Sequence, residues 1–92
     1  MHALVQAWEL HLEGCQSLKD KRSVMLALQA RLRKLNLAVA EVAHQDLWQK
    51  AGIACATVSS SHRVAEETLR EADRIVEAAD GVRIIETQVT GV

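Results

Sequence analysis

The chain has 92 residues, a formal charge of −1 and 49% hydrophobic residues, the makeup of one small globular domain rather than of a disordered chain. Near-neutral charge excludes a global electrostatic pull toward nucleic acid or membrane, so any such contact has to be local. A chain this short buries only ~60–65% of its unfolded surface, which leaves little core for a deep enclosed active site.

Ala3 to Leu12 alternates, with Trp8, Leu10 and Leu12 on one side and Glu9 and His11 on the other, the pattern of a half-buried strand that Gly14 ends. Ser17 followed three residues later by Asp20 is a variant of the capping box and predicts a helix start. Leu18, Met25, Leu28, Leu32 and Leu35 continue it as an apolar stripe, and Asn36 is a reasonable stop. Leu37 to His44 is short and rich in Val and Ala, a second strand, and Gln45 to Lys50 is a polar turn interrupted by Leu47 and Trp48. Ala51 to Ser59 is the third strand. The serines at 59–61 precede a second helix running to about Ala79, with Ala65, Leu69, Ala72, Val76 and Ala79 facing inward. Gly81 supplies a left-handed cap and Val82 to Val89 the last strand.

The order β-α-β-β-α-β matches the ferredoxin-like, split βαβ sandwich: a four-stranded antiparallel sheet with both helices on one face, filling residues 1–92 as a single α+β domain. The other sheet face and two strand edges stay open. Charge is unevenly spread. Gln16 to Leu35 carries Lys19, Lys21, Arg22, Arg31, Arg33 and Lys34 against Asp20 alone, whereas Ser61 to Asp80 is predominantly acidic. A basic helix beside an acidic one predicts attraction between the two.

The topology brings Cys15–Arg22 and His44–Lys50 to one end of the sheet. Lys19, Lys21 and Arg22 there oppose the positive end of the helix dipole, at a cost of ~0.3–1 kcal/mol each when exposed. Unpaired N–H groups at a helix start already favour an anion, so Lys19, Lys21, Arg22 and Lys50 are candidate anion or RNA contacts. The alternative is structural: Lys21 lies on the line of the apolar stripe, and pairing with Asp46 or Glu41 would satisfy it. His44, Gln45, Asp46 and Trp48 form a motif at the same end. Its readings are an acid–base pair, a shared binding surface, or plain turn chemistry; Trp48 reads first as a side chain closing the end of the core and second as a stacking platform. His44 and Asp46, with Glu41, are too few for a zinc site, and no metal or other cofactor is expected. His62 and Arg63 open the second helix and make a weaker anion candidate at the opposite end.

Cys15 and Cys55 lie far apart and suggest neither a disulfide framework nor a metal knuckle. Cys15 sits near a helix start, where a lowered thiol pKa is conceivable, while Cys55 is a core residue. No leader-like N-terminus or ~18-residue apolar run occurs, so a cytoplasmic protein without membrane contact is expected.

Ser-Leu-Lys-Asp-Lys-Arg at Ser17 to Arg22, together with Ala-Glu-Val-Ala-His-Gln-Asp-Leu-Trp-Gln-Lys at Ala40 to Lys50, resembles the YlxP-like family of small bacterial proteins. Glu-Leu-His at Glu9 to His11 and the serine run before the second helix fit as well, so the resemblance spans nearly the whole chain. It implies a ferredoxin-like fold, no established activity and an association with translation or ribosome maturation. Ala43 stands where the resemblance would place an acid. The resulting expectation is a non-catalytic binding protein contacting a ribosomal particle or RNA. A protein-interaction or self-assembling module, including a homo-oligomer, and a small enzyme using His44 and Asp46 are the rivals.

Overall fold

A computed structural model describes residues 1–91. In chain order the elements are β1 (His2–Leu12), α1 (Leu18–Leu32), β2 (Ala38–Ala43), β3 (Lys50–Ser59), α2 (His62–Ala78) and β4 (Val82–Gly91). The strands form one sheet in the order β2-β3-β1-β4, every neighbouring pair antiparallel, so both helical crossovers skip a strand as the ferredoxin-like α+β fold requires.

Alternation along β1 decides which face each residue serves. Leu4, Gln6, Trp8, Leu10 and Leu12 are buried under the helices, opposite Thr57, Cys55, Ile53 and Ala51 of β3 for the first four. Val5, Ala7 and Glu9 face the uncovered side together with Ala56, Ala54 and Gly52. From the helices, Met25, Leu28 and Leu32 of α1 and Ala65, Leu69, Ala72 and Val76 of α2 complete the core. Small inward residues on α2 let its backbone approach the sheet closely, and Trp8 fills the space so left, being 1% exposed. Its indole Nε1 donates to Asp73 Oδ1 at 2.9 Å, and Gln6 Nε2 donates to the same oxygen at 3.2 Å, so two buried polar groups are satisfied and α2 is tied to β1.

Both helix starts are capped as the serines suggest: Ser17 accepts from Asp20 N and Ser61 from Val64 N. Gly81 has φ +73° and Gly14 φ +82°, the left-handed turns that a side chain would strain. Element ends match expectation or differ from it by up to four residues, most at α1, which stops at Leu32 rather than near Asn36. The expected attraction between the helices takes no direct form, because none of the ion pairs among the described residues joins α1 to α2.

Candidate binding surface at the start of the first helix

The inward line of α1 reads Lys21, Met25, Leu28, Leu32, while Leu18 is 41% exposed. Lys21 therefore occupies a core position, 3% exposed, and its ammonium must find partners there. It donates to His44 O and Leu47 O, both at 2.6 Å, and stands 2.9 Å from Glu41 Oε2 of β2. An ammonium has three protons, and three oxygens surround this one. Glu41 Oε2 is buried and accepts no well-aligned hydrogen bond, so the Lys21 charge is what balances it, as an ion pair. Of the two structural partners weighed for Lys21, Glu41 is the one found; Asp46 is exposed and takes part in no ion pair among the described residues.

The two carbonyls that Lys21 holds bracket the β2–β3 turn. Leu47 N closes that turn onto His44 O at 3.0 Å, and His44 adopts φ +60°, a left-handed conformation unusual for a residue with a side chain. The His44 ring meets Glu9 of β1 through Nε2 and Oε1, not Asp46. Gly52 makes that reach possible. It lies between Glu9 and Ala43 in register, and a Cβ there would sit 2.7 Å from Ala43 Cβ. The sequence reading missed Glu9; its signal was the strand register, which places a glycine between it and the end of β2.

Lys19 and Arg22 are exposed on α1 and Lys50 is exposed at the start of β3, and none of the ion pairs among the described residues involves them. Lys50 shares their end of the molecule but lies on the uncovered sheet face, in register with His11 and through it with Arg83. The four basic residues thus divide: Lys21 is consumed by the fold, Lys19 and Arg22 are open on the helical side, and Lys50 is open around the end of the sheet. Trp48 is 39% exposed and so does not seal the core; Gln45 donates weakly to Glu41 O at 3.5 Å. A groove of about 170 Å³ lies between α1 and β2, with Lys21 and Glu41 in its lining.

No group of three or more His, Cys, Asp or Glu side chains converges on a metal-sized site among the described residues. The Cys15 thiol is pushed up by burial and then by the Asp20 charge, against a smaller opposing pull from Lys21, the opposite direction to what a helix start alone would give. Burial raises Cys55 to about 11. No helix among the described residues is long and apolar enough to cross a membrane.

The sheet order, the helical layer and the lysine-clamped turn define the chain as a small ferredoxin-like α+β protein. Solved structures share that fold at low identity. The cofactor-independent oxygenase SnoaB of Streptomyces nogalater superposes with TM-score 0.62 at 9% identity, covering 98% of this chain and 92% of that one. The de novo designed protein Foldit4 gives 0.59 at 8%, covering 98% and 97%. At such identities the likeness is one of fold alone. The family model described as "Protein of unknown function (DUF503)" matches residues 4–89, and the chain belongs to this family. The uncharacterized protein YlxP of Bacillus subtilis (strain 168) is 37% identical over 75 residues, 80% of this chain and 78% of that protein.

Proposed function

We propose that this protein is a non-catalytic binding protein associated with translation or ribosome maturation, and that it contacts RNA phosphate through Lys19 and Arg22, with Lys50 reaching from the other side of the same end. The observation that carries this reading is the division of the basic residues. Lys21 is fully occupied within the fold, whereas Lys19 and Arg22 stand exposed at a helix start and take part in no ion pair among the described residues. Free cations at the positive end of a helix dipole are unfavourable for stability, and a phosphate would reverse that penalty. Lys21 then acts on the surface indirectly, by holding the His44–Leu47 turn through its two carbonyls.

Two or three phosphate contacts give modest affinity and a log–log salt slope between about −1.4 and −2.7. Co-sedimentation with bacterial ribosomal particles at low and moderate salt tests this. Binding that fades with salt and is lost in Lys19→Ala/Arg22→Ala is the expected result. Binding unchanged by that double substitution, or absent at every salt, removes the reading.

A further inference from the structure

The β2 edge is held in reserve by two provisional caps. β2 is an edge strand, and its Ala38 and Ala40 pair with Ala56 and Ala54 of β3. The Arg33 guanidinium donates to Val39 O at 3.4 Å, and Gln45 Nε2 donates to Glu41 O at 3.5 Å. Those two carbonyls therefore point away from β3. In an antiparallel strand the N–H of a residue points to the same side as its C=O, so the N–H groups of Val39 and Glu41 face the free edge as well. Two donors and two acceptors, two residues apart, are the spacing an added strand pairs with. The side chains covering the acceptors are at the limit of hydrogen-bond length and exposed.

Alongside this edge runs the groove between α1 and β2, about 170 Å³, lined by Leu18, Met25, Leu26, Arg22, Gln29 and Gln45. Leu26 is 65% exposed and Leu18 41%, unusual for leucines beside an available groove. A helix flanking an open strand edge is the arrangement that receives an extended peptide as an additional strand, with backbone hydrogen bonds giving affinity and alternate side chains falling into the groove. Charge selects the peptide. Lys19 and Arg22 border one end and Arg33 the other, and the carboxylate lining the groove, Glu41, is already matched by Lys21.

We propose that the β2 edge and the α1 groove bind an extended, acidic, partly apolar peptide segment of a partner protein by strand addition. Its apolar side chains rest on Leu18 and Leu26, its carboxylates face Lys19 and Arg22, and its backbone displaces Arg33 and Gln45 from the two carbonyls. This surface shares Lys19 and Arg22 with the RNA reading, but the edge amides belong to it alone.

A labelled hexapeptide alternating valine and glutamate is the probe, with its valine–lysine counterpart as control. The expected result is slowed hydrogen exchange at the Val39 and Glu41 amides on addition of the acidic peptide. Affinity should fall about tenfold in Val39→Pro, which removes one edge donor, and about tenfold for the lysine peptide. Leu26→Asp, at a side chain already largely in water, should give a similar loss without disturbing the fold, which covers the case that the proline variant misfolds. Ribosome co-sedimentation should be unaffected by Val39→Pro, so failure of one reading is separable from failure of the other. Val39 and Glu41 amides that exchange at the same rate with and without millimolar peptide overturn the proposal. So does protection that grows with protein concentration alone, which would assign the edge to a second copy of this chain.

Discussion

The two helices begin alike and are used differently. Each starts from a serine cap with basic residues in its first turns: Lys19, Lys21 and Arg22 on α1, His62 and Arg63 on α2. On α2 these side chains meet glutamates one turn later, His62 with Glu66 at 3.2 Å and Arg63 with Glu67 at 3.9 Å. On α1 the residues four positions on from Lys19 and Arg22 are Ser23 and Leu26, so neither finds a partner on its own helix. The second helix start is self-neutralised and accounts for its own charges. The first splits its charges between a buried ammonium that builds the turn and exposed ones that join no ion pair among the described residues. That difference separates a structural cluster from a candidate surface better than charge density does.

The largest test of the comparison is Lys21. Replacing it by Met leaves the buried Oε2 of a partly exposed Glu41 without a counter-charge and two carbonyls without their donor, so a loss of about 2–4 kcal/mol in urea unfolding is expected. Adding Glu41→Gln should restore part of that loss, because the uncompensated charge is then gone. A Lys21→Met variant within 1 kcal/mol of the parent, on the order of a surface pair's worth, would mean that the ammonium is dispensable and that the contrast with α2 rests on exposure alone.

Most of this architecture was readable beforehand, and the reason lies in its regularity. Period-two alternation in β1, the heptad-like spacing of Met25, Leu28 and Leu32, and Gly81 after α2 each carry their own local signal. Lys21 was readable as an interior residue because it falls one turn before Met25 on that stripe. What stayed hidden depends on register between distant strands. The His44–Glu9 contact spans Gly52, which lies between them in register, and the outward direction of the Val39 and Glu41 carbonyls shows only in the Arg33 and Gln45 side chains that reach them. Neither leaves a trace in local spacing. The exposure of Leu18 was misjudged for a related reason: a residue in the first turn can continue the apolar stripe yet extend beyond the sheet that the stripe covers.

A smaller effect sharpens the account of the turn that Lys21 holds. His44 keeps a left-handed backbone at a cost of roughly 1–2 kcal/mol relative to glycine. His44→Ala and His44→Gly both lose the Glu9 contact, and only the alanine retains the strain. The glycine variant should therefore be the more stable of the two by about 1 kcal/mol in thermal or urea unfolding. Equal stabilities would indicate that the turn relaxes to ordinary φ once the imidazole is gone, and that Lys21 alone sets its shape.

The finest distinction between the two helix starts is one of sign. Lys19 has no carboxylate partner among the described residues and faces the positive end of the dipole, so Lys19→Glu should stabilise the protein by about 0.3–1 kcal/mol. Arg63 suffers the same dipole but recovers part of the cost from Glu67, and its removal in Arg63→Ala should leave stability within about 0.5 kcal/mol of the parent. Chemical denaturation of the two variants side by side reads both. A stabilised Lys19→Glu that also loses ribosome binding would mean the chain carries this lysine at the expense of its own stability, for the sake of something outside it. A destabilised Lys19→Glu would instead expose a partner for the lysine within the fold, and the two helix starts would then differ only in how far away their partners lie.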